Sequence, residues 1–451
     1  MNDPIDWNKA AEETVAHLVR LIQAETVNPP GNELPAIQVI NDILEREGFP
    51  RDSFTILESA PNRVNLVARL RGDGTQRPLL LSGHVDVVPV ERSEWSHDPF
   101  GGEIIDGEVW GRGAVDMKGF LAMYLQIFLA LYRSKTPLKR DVILAAIADE
   151  EAGFTHGSKF LVEQHRKLID AEYALTEGGG LTLHFGNTKL YPIQVAEKGI
   201  CWLRARAHGK PGHGSMPHAD NAVLFLAQAL EKLTRAGHLP VHLIPTNLKM
   251  LDAITAHLRF PLKAFKGILH SPAVIGLLLN RLKGEAGDVL KAIVTNTCSP
   301  NMLQAGSKIN IIPSVAEAGI DCRLVPGQTS GDVIREIRRI TGEKIELEVI
   351  YSTSGVEFST ETPMYRLLEK RTRQLDPDGL VIPMLMPGGT DASQYQNAGI
   401  TVYGFTPGVL PPGIQLLRMA HGHNERLPIS FIKTGLPVLW DVVTESCVKG
   451  M

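Results

Sequence analysis

Apolar positions in the first third of the chain follow two periodicities in turn, and this predicts alternating strands and helices. Residues 7–23 and 35–47 carry apolar residues at helical spacing, whereas residues 78–82 and 141–148 are almost wholly apolar. Such apolar runs are typical of strands covered on both faces. Further helices are predicted at residues 118–132 and 157–165, and further strands at residues 64–70 and 171–176. This order predicts an α/β domain whose mostly parallel central sheet is flanked by helices.

The pattern changes near residue 195 and predicts a second, smaller domain. Strand and helix signals then follow in the order β-α-β-β-α-β, at residues 198–207, 221–233, 302–305, 316–324, 331–340 and 344–351. That order is typical of a small α+β sandwich. An apolar and basic insertion, residues 240–296, separates its first helix from its second strand and contains a helical stretch at residues 273–282.

The last hundred residues return to the first pattern, so the larger domain is predicted to be split. Residues 363–375 and 429–443 are spaced as helices, with strand signals near residues 381 and 400. We therefore predict a larger domain formed by residues 1–194 and 357–451, with an α+β domain inserted at residues 195–356. The length of 451 residues favours two domains, because one core rarely serves a chain of that size.

Composition and charge narrow the class of protein. The chain is 43% hydrophobic and 21% charged, which is typical of a globular enzyme, and a net charge of −4 without a basic block predicts no nucleic-acid partner. The polar start lacks the features of an export signal, and the longest apolar run, residues 273–279, is too short to span a membrane. Four scattered cysteines are expected to be reduced thiols, so a cytoplasmic location is predicted.

Polar residues that could bind a metal follow the predicted strands of the larger domain. His84 and Asp86 come at the end of one buried strand, and residues two apart on a strand face the same side. His84 could therefore contact a metal while Asp86 binds its other ring nitrogen. The alternative for this pair is a satisfied polar strand end. Its place at the carboxyl end of a strand in an α/β sheet favours the metal.

Four acidic residues extend this series. Asp116 follows a Gly-x-Gly turn and precedes a helix, so it is either a ligand or a helix N-cap. Glu150 and Glu151 follow a second buried strand. Because adjacent carboxylates repel one another, they are either an exposed pair or a ligand beside a general base. Glu177 ends a third strand before three glycines, and a simple turn is its alternative.

Together, these residues are stronger evidence for a metal site than any one of them alone. Successive strand ends of one sheet meet at one crevice, and imidazoles and carboxylates together suit zinc and similar divalent ions. Near the C-terminus, His421 and His423 compete to supply one more ligand. A carboxylate shared by two ions, with a spare carboxylate as base, suits the hydrolysis of an amide by water.

Motifs along nearly the whole chain resemble the di-zinc superfamily of aminoacylase, carboxypeptidase S, acetylornithine deacetylase and succinyl-diaminopimelate desuccinylase. The matching segments are SGHVDVVPV, WSHDPFGG, GRGAVDMKG, ADEE, EGGG, GKPGHGSMPH, NIIPSVAEAGIDCRLVPG, PGGTDA and HGHNE. The resemblance is closest to the branch of carboxypeptidase S and the enzymes that hydrolyse N-fatty-acyl amino acids. It implies a split catalytic domain with two zinc ions, for which cobalt or manganese could substitute, and an inserted lid and dimerisation domain.

The resemblance also implies a role for each candidate. Glu150 would be the general base. Asp86 is also predicted to be part of the catalytic set, where it would hold the other ring nitrogen of His84. The family's last ligand lies four residues before the glutamate of its final motif, which favours His421 over His423. A cis peptide is implied between Asp116 and Met117. The implied metal ligands are His84 and Glu177 for one ion, Glu151 and His421 for the other, and Asp116 as the bridge between both.

Residues of the inserted domain and of one later loop are implied to bind substrate. His213 would reach across a homodimer into the partner's site and polarise the scissile carbonyl. Arg323 would hold a substrate carboxylate, for which a guanidinium is suited, although an ion pair with Asp321 is its alternative. The implied substrate-binding residues are Asn310, Arg323, Gly388 and Gly389, the two glycines through a backbone turn.

The predicted function is zinc-dependent hydrolysis of the amide bond of an N-acyl amino acid or small dipeptide with a free carboxylate. The alternatives are a carboxypeptidase, a dipeptidase, a deacetylase of another small amide, or a non-catalytic binding protein on the same scaffold. Glu150 argues against the binding protein, because binding alone needs no base. Leucines of the insertion, such as Leu277 and Leu278, could line an apolar pocket or bury a helix or subunit contact.

Overall fold

The structure, a computed structural model, describes residues 5–185, 188–257, 267–282, 284–414 and 416–449. Its strands are β1 (Phe54–Ala60), β2 (Arg63–Leu70), β3 (Leu79–His84), β4 (Ile104–Ile105), β5 (Glu108–Trp110), β6 (Val142–Ile147), β7 (Tyr173–Thr176), β8 (Leu183–Phe185), β9 (Thr188–Glu197), β10 (Gly199–His208), β11 (Gly212–His213), β12 (Thr297–Ala305), β13 (Ile311–Ile312), β14 (Val315–Leu324), β15 (Ile345–Ser352), β16 (Val356–Glu357), β17 (Leu380–Met386), β18 (Thr401–Gly404) and β19 (Arg426–Pro428).

The helices alternate with these strands in the first part of the chain. They are α1 (Trp7–Gln23), α2 (Leu34–Arg46), α3 (Lys118–Ser134), α4 (Ser158–Gln164), α5 (Arg166–Ile169), α6 (Ala222–Arg235), α7 (Pro245–Ala256), α8 (Pro272–Leu279), α9 (Glu285–Val294), α10 (Ser330–Thr341), α11 (Pro363–Leu375), α12 (Ala392–Asn397), α13 (Leu416–Met419) and α14 (Ile429–Cys447). Within the described ranges, no helix has both the length and the apolar content needed to cross a membrane.

The chain divides into two compact units. The first unit consists of Met1–Gln194, Phe358–Ile382 and Thr390–Met451, and the second of Val195–Glu357 and Pro383–Gly389. The segment Pro383–Gly389 differs from the predicted division, which assigned it to the larger domain. Gly388 and Gly389 are therefore part of the second unit.

The first unit is built on a mixed sheet whose strands are ordered β1-β2-β6-β3-β7-β18. Strands β6, β3, β7 and β18 run parallel, while β1 and β2 pair in antiparallel fashion and form one edge. Strands β3 and β6 are buried throughout, as expected for strands with both faces covered. The predicted α/β class with a parallel centre is confirmed, and the antiparallel edge is an addition to it.

Helix α3 fixes the position of the loop before it. It is buried from Lys118 to Leu131 and packs against β3 and β6. Its N-cap is Met117, whose side chain makes no capping hydrogen bond. Asp116 therefore lies outside the helix, and the interpretation of Asp116 as a helix cap is wrong.

The second unit contains a four-stranded antiparallel sheet ordered β12-β14-β10-β15. Alternate residues of β14 are buried, and they pack with apolar residues of α6 and α10 into one core. The predicted β-α-β-β-α-β order is confirmed by β10, α6, β12, β14, α10 and β15.

The described part of the insertion between α6 and β12 contains three helices, α7, α8 and α9. Helix α8 covers most of the helical stretch predicted at residues 273–282 and ends at Leu279. Leu277 and Leu278 are exposed on α8. Residues 258–266 and 283, which the predicted insertion includes, lie outside the described residues.

Candidate metal centre

Three neighbouring parallel strands bring the predicted ligands together. His84 is the last residue of β3, the Asp149-Glu150-Glu151 segment follows β6, and Glu177 directly follows β7. Because β6, β3 and β7 are adjacent and parallel, their carboxyl ends meet at one edge of the sheet. The convergence that the sequence predicts is present in the structure.

A hydrogen bond at Nδ1 fixes the orientation of the His84 ring. Nδ1 lies 2.9 Å from the backbone carbonyl oxygen of Asp86 and 3.6 Å from that residue's carboxylate. A carbonyl oxygen can only accept, so Nδ1 donates to it, and Nε2 is the ring nitrogen that faces Asp116 and Glu177. The carbonyl oxygen, rather than the expected carboxylate, is thus the nearest hydrogen-bond acceptor for this ring.

The Asp86 carboxylate instead organises the backbone of the next strand end. One oxygen accepts the Glu150 N–H at 3.2 Å, and the other accepts the Glu151 N–H at 3.2 Å and an Asn28 amide N–H at 2.9 Å. The group is fully buried. Burial would raise the pKa of Asp86, but His84 and these hydrogen bonds hold it below its usual value. Asp86 therefore stays ionised and fixes the position of the backbone at Glu150 and Glu151.

Asp116 lies between two groups of ligands. Its Oδ1 is 3.0 Å from His84 Nε2, which is itself 3.6 Å from Glu177. Its Oδ2 is 3.2 Å from His421 Nε2, which lies 3.0 Å from Glu151. Two triads thus share Asp116, namely His84-Asp116-Glu177 and Asp116-Glu151-His421, and in each the ligand atoms lie within 4.8 Å of one another.

Glu150 is the remaining carboxylate of the cluster. It also groups with His84 and Glu151 at metal-binding distance. Of the two candidate histidines near the C-terminus, His421 lies in the cluster, whereas His423 belongs to none of the metal-binding groups found among the described residues.

Glu425 holds the loop that carries Asp116. One of its oxygens accepts the N–H groups of Val115 at 2.7 Å and Asp116 at 3.0 Å. The other accepts the Gly113 N–H at 3.1 Å and an Arg112 guanidinium N–H at 2.6 Å. The Asp116-Met117 peptide is cis, as the resemblance implied. Sequence reasoning included Glu425 in a motif but gave it no role.

A buried polar network supports the cluster from behind. The Asn28 amide donates to both Asp86 and Asp149, at 2.9 and 3.0 Å. Arg63 donates to Asp149 at 2.8 Å and makes an ion pair with Glu33. The sequence did not predict a role for the NPPGNE segment, which contains Asn28 and Glu33. Only its unusual composition, rich in proline and polar residues, could have drawn attention to it.

The electrostatics of the cluster favour a cation. Burial raises the pKa of Glu150 well above its usual value, and burial together with Asp116 raises the pKa of Glu177 to about 7. Hydrogen bonds to Asp116 and Glu151 raise the pKa of His421 to about 10. These shifts reflect carboxylates that are buried close to one another, and a divalent ion bound among them would favour their charged forms.

The donor atoms fit a divalent metal ion. Glu151 Oε1 is buried and has no hydrogen-bond partner within the described residues. Such an orphaned carboxylate oxygen is costly unless a ligand contacts it. Histidine nitrogens and carboxylate oxygens together suit zinc, cobalt or manganese. The residues present therefore fit a metal-binding centre.

The substrate-binding candidates all lie in the second unit. His213 and Asn310 are neighbours there: His213 pairs with Ile311, and the Gly214 N–H donates to the Asn310 carbonyl oxygen at 2.8 Å. Arg323 lies on β14 and makes the ion pair with Asp321 that was its alternative interpretation, with Nε 3.1 Å from the carboxylate. Gly388 and Gly389 follow β17.

The hydrogen bonds of His213 define its tautomer. The Ser215 backbone N–H donates to Nδ1 at 3.2 Å, and the Ser215 hydroxyl lies 2.7 Å from the same nitrogen. A backbone N–H can only donate, so Nδ1 is the acceptor and Nε2 carries the proton. The side chain is exposed. This ring therefore presents a hydrogen-bond donor.

Imidazoles and carboxylates at the carboxyl ends of parallel strands are an arrangement used by metal-dependent hydrolases. The model of Peptidase family M20/M25/M40 matches residues 80–445, and the chain belongs to that family. The predicted superfamily is confirmed, and with it the class of enzyme, a metal-dependent amidohydrolase or exopeptidase.

Individual relatives agree with this assignment. The chain is 30% identical over 383 residues to probable carboxypeptidase S-like 2 of Dictyostelium discoideum, which covers 82% of this chain and 72% of that protein. It is 26% identical over 415 residues to N-fatty-acyl-amino acid synthase/hydrolase PM20D1 of Mus musculus, which covers 88% and 80%. Its fold is similar to the M20 family metallo-carboxypeptidase Sso-CP2 from Sulfolobus solfataricus, with a TM-score of 0.69, 18% identity, and 96% and 98% of the chains covered.

Proposed function

We propose that this protein hydrolyses the amide bond of N-acyl amino acids or small dipeptides with a free carboxylate, at a centre of two zinc ions. The observation that supports this most is the position of Asp116, whose two oxygens each lie beside a different histidine. A carboxylate shared in this way suits a pair of ions that act on one substrate. The names of the relatives, carboxypeptidase S-like and N-fatty-acyl-amino acid hydrolase, support the substrate class.

The two triads would each hold one ion. His84 and Glu177 would bind the first, Glu151 and His421 the second, and Asp116 both. When bound, the ions would lower the pKa of a water molecule and polarise the scissile carbonyl. Cobalt or manganese could occupy the same ligands.

Glu150 would act as the general base. Its pKa, raised by burial, allows it to take a proton from the attacking water and to hold that proton until the amide breaks. Glu150 would then give the proton to the leaving nitrogen. The Asp86 carboxylate, which accepts the Glu150 N–H, would keep this side chain in place.

Residues of the second unit would bind the substrate. His213 presents a protonated Nε2, which suits donation to the oxygen of the scissile carbonyl as negative charge develops there. Arg323 would hold the free carboxylate, and Asn310 and the backbone at Gly388 and Gly389 would be further substrate-binding groups. The resemblance implies that His213 acts in a partner subunit, so a homodimer is part of the proposal. The predicted cytoplasmic location stays a prediction.

Replacing Glu150 by Gln tests the proposed base. Glu150→Gln should bind two equivalents of zinc, as measured by elemental analysis, while turnover of an N-acyl amino acid falls about 10²–10⁴-fold. Glu94→Gln, at an exposed position, is the matched control and should keep wild-type turnover. Near-normal turnover in Glu150→Gln would show that another group is the base.

Chelation tests the metal requirement. Removing bound ions with a chelator should abolish turnover, and adding zinc or cobalt should restore it. Turnover that persists in protein shown to be free of metal would contradict the proposal. Light scattering tests the homodimer, because a fully active monomer would exclude a role for the partner's His213.

A further inference from the structure

Lys198 is a buried cation without a partner. It lies between β9 and β10, with 2% of its surface exposed. Its backbone N–H donates to the Met386 carbonyl oxygen at 3.1 Å. Its ammonium nitrogen has no hydrogen-bond partner in the part of the chain that the structure describes. Burying an unpaired charge is costly, and natural proteins retain such groups mainly where a ligand completes them.

A second cation lies close to Lys198 in the same unit. Ile200, two residues along β10 from Lys198, pairs directly with Arg323 on β14. Burial lowers the pKa of Lys198 to about 7; the Cys298 thiol opposes this shift, and the positive charge of Arg323 adds to it. The positive charges of Lys198 and Arg323 therefore repel one another.

Arg323 already has one carboxylate partner. It contacts Asp321 through Nε and Nη2, at 3.1 and 3.2 Å. Nη1 takes no part in that ion pair, so this nitrogen can donate to a second anion.

The loop beside Lys198 carries two glycines that are not crowded by their neighbours. Met386, which accepts the Lys198 N–H, lies two residues before Gly388. A Cβ atom built on Gly389 would meet only the Ile200 side chain, at 3.7 Å, and one on Gly388 would meet only Met386 at 4.0 Å. Lys198, Ile200, Arg323 and Gly389 are therefore neighbours within the second unit, and a methyl group at either glycine would meet no close contact.

We propose that Lys198 and Arg323 together form a two-cation site that receives the substrate's free carboxylate, and that Lys198 selects anionic over neutral substrates. This inference rests on the proposed function and deepens it, because it names a specificity-determining residue that the sequence motifs did not indicate. The carboxylate would receive charge-assisted hydrogen bonds from both cations. Lys198 would touch only the carboxylate end of the substrate.

Comparing two substrates separates this role from a structural one. Wild type, Lys198→Met and Lys198→Arg are assayed on an N-acyl amino acid and on its carboxamide. In Lys198→Met, the KM for the acid should rise at least tenfold, while kcat for the acid and the KM for the carboxamide stay within about twofold. Lys198→Arg should restore most of the affinity for the acid. Lys232→Met, at an exposed position of α6, is the matched control and should resemble wild type.

Stability provides a second readout. Because Lys198→Met removes an unpaired buried charge and keeps the volume, its melting temperature should equal or exceed that of wild type. A lower melting temperature, with equal losses on acid and carboxamide, would show that Lys198 is structural and would overturn the inference. So would unchanged kinetics on both substrates.

Equilibrium binding separates this inference from the proposed function. Calorimetry with an N-acetyl amino acid and its carboxamide should show that wild type prefers the acid and that Lys198→Gln has lost most of that preference. If wild type hydrolyses neither substrate, the proposed function fails, while a preference lost in Lys198→Gln would still support the anion site. If wild type hydrolyses the acid but both proteins bind acid and carboxamide alike, only the anion site fails.

Discussion

Two buried carboxylates of the first unit position the backbone that carries the proposed ligands. The carboxylate of Asp86 accepts the N–H groups of two neighbouring glutamates, and Glu425 accepts three backbone N–H groups of the loop that ends at Asp116. None of these contacts needs a metal. The protein therefore holds the ligand atoms near one another before an ion binds, and the free energy of binding is not spent on ordering the loops.

Asn28 is the residue whose replacement tests this support. Asn28→Ala removes the amide that donates to Asp86 and Asp149, and leaves two buried carboxylates short of a donor. Zinc affinity should fall about 10–100-fold, as for other groups that orient metal ligands. Competition with a chromogenic chelator measures this affinity. Asn8→Ala, at an exposed position, should not change it, and equal affinity in both variants would show that Asn28 does not position the site.

His17 predicts part of the pH dependence of stability. Burial is the main cause that lowers its pKa to about 4. Between this value and its ordinary value near 6.5, the unfolded chain binds more protons than the folded chain. The free energy of unfolding should therefore fall as pH falls from 6.5 to 4, and His17 should contribute about 1–3 kcal/mol of that loss.

Urea unfolding of metal-free protein at pH 7 and pH 5 measures the contribution of His17. His17→Leu should lose less stability between these pH values than wild type does. His257→Leu, which removes an exposed histidine, should behave as wild type. If His17→Leu and wild type lose the same free energy, His17 is not held neutral by its surroundings.

The spacing of strands β7 and β18 controls the position of Glu177. Gly404 on β18 pairs with Thr176, and a Cβ atom built on Gly404 would lie 2.2 Å from the Glu177 carbonyl oxygen. Gly404→Ala must therefore displace the backbone that carries Glu177. We expect a loss of about 1–3 kcal/mol in stability and at least a tenfold loss in zinc affinity.

Calorimetry of zinc binding and urea unfolding measure the two effects of Gly404→Ala. Gly276→Ala is the control, because a Cβ atom at that position of α8 meets nothing closer than 3.7 Å. Wild-type zinc affinity in Gly404→Ala would mean that the strand pair can separate without moving the ligand.

The elements show which features a sequence pattern can predict. Helices α1 and α11 begin and end where their periodicity predicted, because each has one apolar face along its whole length. Strand β9 was not predicted, because it contains Pro192. Proline is normally confined to edge strands, to the first residue of a strand or to bulges. Strand β1 was not predicted either, because Phe54 is its one buried residue and the strand therefore has no apolar run.

The part of the site that lies at the ends of strands could be predicted from the sequence. The predicted ligands follow buried strands or belong to strong motifs, and the structure brings their atoms together. The supporting residues could not be predicted this way. Asn28 reaches a carboxylate 121 residues away, and Glu425 reaches Asp116 across 309 residues. Contacts of such separation depend on the tertiary fold and leave no periodic signal in the chain.

At the scale of the whole molecule, the two compact units have separate stabilising features. The second unit has its own apolar core, which includes Leu203, Ile320 and Ile337. All the proposed metal ligands belong to the first unit. Ions that bind only the folded first unit stabilise it by mass action, by about 4 kcal/mol when their free concentration is a thousand times the Kd.

Removing metal should therefore loosen the first unit and spare the second. Hydrogen exchange of zinc-loaded and chelated protein can locate the effect, since it reports stability segment by segment. Amides of β3, β6 and β7 should lose protection after chelation, while amides of β14 and α10 should keep theirs, because the second unit holds its own core. An equal loss of protection in both units would show that they unfold as one cooperative body, and that the metal stabilises the whole chain rather than one unit.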